Sequence, residues 1–322
     1  MNTKTNVLAL LETNKGQAIS GQSIAEELNL SRNAVWKAIN ELRKEGYIIN
    51  ATTNKGYRLC KNNDILSKEG IIPFLQNKHA NIIVYNTLES TNKTAKEMAI
   101  SEAEHGTVII ADSQTAGRGR FGRQFHSPAS CGIYMSFILH PSKLWLSTPT
   151  LITAFAAVSV CEAIELVSSK PPKIKWVNDI YLNNKKICGI LTEAVTDFES
   201  GNIQWIVLGI GINFKAPPND FPENLKQVAG SLYEETPSIT RNRLIGEIIN
   251  RISKLEENGS EDDVINKYKN RLMMLNEKIL VIEGSKTYEA IALDVDSIGQ
   301  LIIMANGNTH TLSSGEISIK QA

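Results

Sequence analysis

The chain is poor in the features that mark several functional classes. Only four of its 322 residues are cysteine (Cys60, Cys131, Cys161, Cys188), and they lie far apart with no C-x-x-C pair. That excludes a disulfide framework and a zinc-finger spacing, and it predicts a reducing, cytoplasmic setting. The five histidines, at 79, 105, 126, 140 and 310, show no metal-ligand spacing, so no metal site is expected. Long apolar runs are missing too. The longest, residues 151–161, contains Thr153 and Ser159 and meets Glu162, which predicts a buried helix and no membrane association. The first residues lack the basic, apolar and small-residue order of a signal peptide. Net charge is also absent, with 34 basic against 34 acidic residues, so the whole molecule is not a polycation that coats nucleic acid or membrane. With 42% apolar and 21% charged residues the composition is that of a folded globular protein rather than a disordered one.

The neutral total hides an asymmetry. Residues 1–61 hold nine Lys/Arg against five Asp/Glu, leaving 25 against 29 for the rest. Within this basic segment Val7, Leu8, Leu10 and Leu11 form a helical stripe. Ser20 is placed to cap a helix carrying Ile24, Ala25 and Leu28, and Ser31 to cap a third. In that third helix Val35, Ile39 and Leu42 recur at i, i+4 and i+7 and face a core, so Arg32, Asn33, Lys37 and Asn40 project outward. Two short strands, 47–49 and 57–59, flank Asn54-Lys55-Gly56, a turn sequence. Three helices and a hairpin in sixty residues predict a winged helix-turn-helix. Its DNA-binding set is Ser31, Arg32, Asn33, Lys37 and Asn40, with Lys55 at the wing tip. A winged helix that only packs against protein is the alternative. Residues 62–68 read as the connection onward.

The central stretch reads as a mixed sheet with packed helices: strands at 82–85, 107–111 and 132–139, an apolar helix at 151–167, then antiparallel pairings through residue 213. Residues 117–122 satisfy G-x-G-x-x-G, but no helix opens on those glycines, so a dinucleotide fold is excluded. No Gly-Lys-Ser/Thr follows, so neither is it a Walker loop. What remains is a glycine-rich loop carrying Arg118, Arg120 and Arg123, whose guanidinium forks suit a phosphate-bearing ligand.

Five motifs then occur in order: Glu-Ser-Thr-Asn at 89–92, Gln-Thr-Ala-Gly-Arg-Gly-Arg at 114–120, Lys-Trp-Val-Asn-Asp at 175–179, Lys-Lys-Ile-Cys-Gly-Ile-Leu at 185–191 and Gly-Ile-Gly-Ile-Asn at 209–213. Together they resemble biotin–protein ligases. With the winged helix ahead of them, the chain resembles the family's bifunctional biotin-operon repressors along essentially its whole length.

The resemblance implies activation of biotin by ATP and Mg2+ to biotinyl-5′-AMP, which serves as both intermediate and corepressor. Transfer follows to a lysine of a biotin carboxyl carrier protein domain of a biotin-dependent carboxylase. It implies a biotin pocket of Ser90, Thr91, Asn92 and Gln114, with Arg118, Gly119 and Arg120 closing over it, Arg123 near the phosphates and Lys186 at the carboxylate. Phe125, Asn178 and Asn213 would hold ATP. Asp179 would orient or deprotonate the acceptor lysine, so the catalytic set is Arg118, Arg120, Arg123, Lys186 and Asp179. Two departures from the pattern, Phe125 for Trp and Val177 for Pro, predict a smaller stacking face and a looser aim for Asn178 and Asp179.

Residues 241–275 read as two amphipathic scaffold helices. Residues 278–319 give five short strands, which suit a small SH3-like β-barrel with Lys320 at a position often basic in the family. The expected class is α+β multidomain: winged helix at 1–65, class II synthetase-like mixed-sheet catalytic domain at 66–275, and barrel at 276–322. Operator DNA and a ligand-bound homodimer are the other expected partners. Two further readings stay open: a biotin-sensing repressor without catalysis, and a ligase for another carboxylate such as lipoate.

Overall fold

A computed structural model describes residues 2–319 except 53, 54, 102, 147, 198, 200, 285 and 314, so Asn54 and Lys320 lie outside the described residues. The chain divides into two compact units, Met1–His79 with Pro237–Asn250, and Ala80–Thr236 with Arg251–Ala322.

The first unit opens with α1 (Thr3–Thr13), α2 (Gly21–Glu27), α3 (Arg32–Lys44), β1 (Ile49–Thr52), β2 (Gly56–Leu59) and α4 (Lys68–Ile71). Ser20 and Ser31 accept hydrogen bonds from Ser23 N (2.9 Å) and Ala34 N (3.1 Å), so both expected caps form. Val35, Ile39 and Leu42 are fully buried among Val7, Leu11, Ile24 and Leu59, which closes the core of the unit. The hairpin pairs Thr52 with Gly56 and Ile49 with Leu59, so its first strand starts at Ile49, two residues later than expected.

Residues 62–76 are more than a connection, because they are clamped to residues 241–250. Arg241, 2% exposed, donates from Nε to Asp64 Oδ2 (2.8 Å) and from its backbone N to Oδ1 (2.6 Å). Asn242 donates to Ile65 O and Asn250 to Phe74 O, each at 2.8 Å. Gly246 lies so close that an added Cβ would stand 2.6 Å from Phe74 Cβ.

The second unit contains β3 (Ile82–Leu88), α5 (Thr91–Ile100), β4 (Thr107–Gln114), β5 (Gly132–Leu139), α6 (Pro149–Ser168), β6 (Lys173–Lys175), β7 (Asp179–Leu182), β8 (Lys185–Thr196) and β9 (Ile203–Asn213). Next come α7 (Arg241–Ile252), shared between the units, then α8 (Glu261–Lys269), β10 (Lys278–Glu283), β11 (Lys286–Val295), β12 (Leu301–Ala305), β13 (Asn308–Leu312) and β14 (Glu316–Ile319). The main sheet runs β3-β4-β5-β9-β8-β7-β6, with β3 and β4 parallel and every other pair antiparallel. Helix α5 packs Ala95 and Ala99 on Ile109, Ile138 and Val207 of one sheet face. Helix α6 covers the other face, with Thr153 Oγ1 2.7 Å from Thr192 Oγ1. At twenty residues α6 is longer than the apolar run that predicted it and is apolar enough to cross a membrane, yet two thirds of its most apolar 18-residue stretch is buried inside the protein. The last five strands form an antiparallel sheet in the order β13-β12-β11-β10-β14.

Register explains the main sheet's glycines. Asp179 pairs with Gly189, Gly189 with Gly211, and Gly211 with Tyr134; one pleat on, Leu191 pairs with Gly209 and Gly209 with Ser136. Paired residues share a face and alternate residues return to it, so Gly209, Gly211 and Gly189 make a bare strip on the face that also carries α5.

Candidate functional site

That strip floors a cavity of about 420 Å³ in the second unit. At one end the first turn of α5 brings Ser90, Thr91 and Asn92 in with 1%, 4% and 5% exposure. Thr91 donates to Gln114 Oε1 from its N (2.8 Å) and Oγ1 (3.1 Å), and Gln114 Nε2 donates to Ser127 Oγ (2.8 Å). Ser136 Oγ stands 2.7 Å from Asn92 Oδ1 and 2.8 Å from Thr91 Oγ1, and Asn92 Nδ2 donates to Glu193 Oε2 (2.8 Å). Glu193 is in turn ion-paired with Lys96. These bonds fix the orientation of both amides, a polar network in a buried setting.

Gly209 is required here, since a Cβ would stand 2.0 Å from Asn92 Oδ1. Gly211 and Gly189 instead receive the Phe125 ring, at 2.8 and 3.5 Å from where a Cβ would lie. That ring packs against Tyr134 in an edge-to-face arrangement, 6.3 Å between centroids.

The other end is cationic. Lys186 Nζ reaches Asp179 Oδ1 at 2.6 Å across the β7–β8 hairpin. Asn178 is bonded to Ile190 in both directions, Nδ2 to O at 2.6 Å and O from N at 3.0 Å. Asn178 thus has partners for both its side chain and its backbone carbonyl immediately after Val177. Asn213 Nδ2 donates to Gly230 O (2.9 Å). Arg120 donates to Asn178 Oδ1 (3.3 Å), and burial lowers its pKa against the opposing pull of Asp179 and Glu316. Burial likewise lowers the Lys175 ammonium and pushes the Tyr181 phenol up to about 12.

The arginine loop has acid partners that its sequence does not reveal. Arg123 makes a bidentate pair with Glu316 of β14 (2.8 and 2.6 Å), which raises its pKa, and Arg118 lies 3.8 Å from Glu89. The loop closes on itself through Gly119 N to Arg123 O (2.7 Å) and Phe125 N to Gly117 O (2.9 Å).

One end of the cavity thus offers a buried array of donors and acceptors, the other a cluster of cations, and a separate unit carries a helix-turn-helix. Residues 3–58 match the HTH domain and residues 84–213 the Biotin/lipoate A/B protein ligase family. The bifunctional ligase/repressor BirA of Bacillus subtilis is 44% identical over 71% of this chain and 70% of its own. The chain belongs to the biotin protein ligase family. Its Escherichia coli relative, also named bifunctional ligase/repressor BirA, is 28% identical over 98% of this chain and 97% of its own. A biotin protein ligase from Aquifex aeolicus, solved with biotin and ATP, matches with a TM-score of 0.64 at 28% identity, covering 75% of this chain and 99% of that one.

In this biotin protein ligase, Ser90, Thr91, Asn92, Gln114, Arg118, Gly119, Arg120, Arg123, Phe125, Asn178, Asp179, Lys186 and Asn213 all line one cavity. Ser31 caps α3 of the other unit and Arg32, Asn33, Lys37 and Asn40 lie on it, with all but the half-buried Asn40 exposed, and Lys55 is exposed in the β1–β2 turn. Reading the sequence missed Ser127, Ser136, Lys175, Glu193 and Glu316. It also missed the segment around Phe221, Leu225 and Val228, which forms another wall. Lys175 opens the third motif without having been assigned a role, and no motif marks the others; strand register and loop return alone bring those in.

Proposed function

We propose that the cavity binds biotin with its ureido end on Ser90, Thr91, Asn92 and Gln114 and its carboxylate toward Lys186. The nucleotide of MgATP then lies along Phe125, Asn178 and Asn213. In the first half-reaction the biotin carboxylate oxygen attacks the α-phosphorus, and the bond to pyrophosphate breaks. Arg118, Arg120, Arg123 and Lys186 offset the charge that develops there. No side chain needs to form a covalent bond. In the second, the neutral amine of a carrier lysine attacks the anhydride carbonyl and AMP leaves. Asp179 takes the amine proton. The 2.6 Å pair with Lys186 supports this division of labour, because an anionic ligand that draws Lys186 away leaves the Asp179 carboxylate available as a base.

The observation that carries the reading is the polar array at one end of the cavity, the buried Ser90, Thr91 and Asn92 with the half-buried Gln114, braced from behind by Ser136 and Glu193. Biotin's ring presents both N–H and C=O there. Lipoate, with an apolar head, would exclude water from these groups without replacing its hydrogen bonds, at roughly 1–3 kcal/mol each. Biotin-dependent pyrophosphate release is the test: the reading requires strong release with biotin and little with lipoate, and the reverse preference refutes it.

The winged helix then reads operator DNA as a repressor, with Arg32, Asn33, Lys37 and Asn40 on α3 and Lys55 on the wing. Two copies are needed for useful site length, so biotinyl-5′-AMP acts as corepressor by favouring a homodimer. This reading divides the chain functionally at residues 65 and 275. It takes the C-terminal sheet as SH3-like, the central sheet as class II synthetase-like, and the setting as cytoplasmic, where ATP and carrier protein meet.

A further inference from the structure

Helix α3 carries a side chain that its core does not use. Val35, Ala38, Ile39 and Leu42 close the hydrophobic core with at most 3% exposure, while Trp36 stands 54% exposed on the same helix. Among the described residues its Nε1–H donates to nothing. The indole follows Arg32 by four residues and Asn33 by three, and it precedes Asn40 by four, so these side chains are neighbours on one ridge. Any groove that admits them admits the indole too.

The charges of α3 and of the hairpin say what occupies that groove. Arg32, Lys37, Lys44 and Arg58 are exposed and enter no ion pair among the described residues, whereas Arg43 is tied to Ile49 O at 2.9 and 2.7 Å. Glu45 is taken up by Lys4, leaving Glu41 as the exposed acid of this helix without such a pair. An apolar ring framed by cations and amides on a projecting helix matches a polyanion with apolar points inside it. In the major groove those points are the C5-methyl groups of thymine.

We infer that Trp36 is a specificity-determining residue that packs on a thymine methyl in each operator half-site. This rests on the DNA-reading role proposed above. Arg32 and Lys37 then hold the backbone, Asn33 and Asn40 reach base edges, and the indole distinguishes thymine from the other bases by shape and apolarity.

The test begins with duplexes selected from a random library by the full-length protein with biotinyl-5′-AMP. Each thymine of the selected site is then replaced by uracil, which removes only the methyl. For the wild type, one position per half-site should lose about fourfold in affinity, the worth of one buried methyl. Trp36→Ala should bind the site at least tenfold more weakly and be indifferent to that uracil. Its melting temperature and ligand-induced dimerisation should be unchanged, and Trp36→Phe should restore part of the methyl sensitivity. The inference is overturned if no thymine responds in the wild type, if Trp36→Ala stays equally sensitive, or if Trp36→Ala loses dimerisation, which would make the indole a protein contact. Failure of the wild type to select any sequence would refute the DNA-reading role itself, and the inference with it.

Discussion

Gly209 and Gly211 share one face of β9 and should fail differently. In Gly209→Ala the new methyl would stand 2.0 Å from Asn92 Oδ1 and 2.7 Å from its Cγ, so Asn92 must retreat by more than an ångström. It then leaves Ser136 (2.7 Å) and Glu193 (2.8 Å), one neutral and one charged hydrogen bond. The loss is about 2–4 kcal/mol of stability. Misaligned donors at the pocket end should also weaken biotin by roughly 5- to 150-fold, the equivalent of about 1–3 kcal/mol. In Gly211→Ala the methyl meets the Phe125 ring at 2.8 Å, which can tilt away. That variant should bind biotin alone normally and show a raised KM for ATP. Calorimetric titration of both variants with biotin alone, followed by steady-state kinetics, separates the two effects. Wild-type biotin affinity in Gly209→Ala, or equal losses in both variants, would refute the reasoning.

Lys186→Ala should slow biotinyl-5′-AMP formation by at least tenfold with the fold intact, since a charge-assisted contact to the anion contributes ~1.5–3 kcal/mol; single-turnover assays read this directly. Asp64→Ala should lower stability by about 3 kcal/mol or more in denaturant titration, because the Arg241 side chain it pairs with is only 3% exposed. Burial holds the His105 imidazole neutral, and its Nδ1 accepts from His140 N at 2.8 Å while Glu256 pulls the other way. A lowered folded pKa means that the unfolded chain binds the proton more readily. Stability should therefore fall as pH drops below the ordinary value of 6.5, and His105→Asn, which keeps an acceptor, should flatten that dependence.

The parts of the fold that could be read in the sequence are those governed by local rules. Ser20 and Ser31 cap helices where the following apolar periods begin, and Asn183-Asn184, both at positive φ, make the tight turn that sets Asp179 beside Lys186. The five motifs marked most of the cavity for the same reason, since each is a short run on one element. Glu193 and Glu316 carry no such signal. Each is a single acid on a strand, and it meets Asn92 or Arg123 only through pairing across about a hundred residues or more. The clamp between Asp64 and Arg241 spans 177 residues and could not be read from either segment alone. Trp36 falls on the outward ridge with Arg32 and Asn40 by the same helical period, and its role there could not be read from the pattern alone.

Every role assigned to the cavity depends on its transferring biotin to protein. That transfer is tested most directly by the mass of a biotin carrier domain after incubation with the protein, biotin and MgATP. The expected result is a gain of one biotin on one lysine, lost when MgATP is omitted and strongly slowed by Lys186→Ala. A carrier of unchanged mass, with the protein folded and both substrates present, would contradict it.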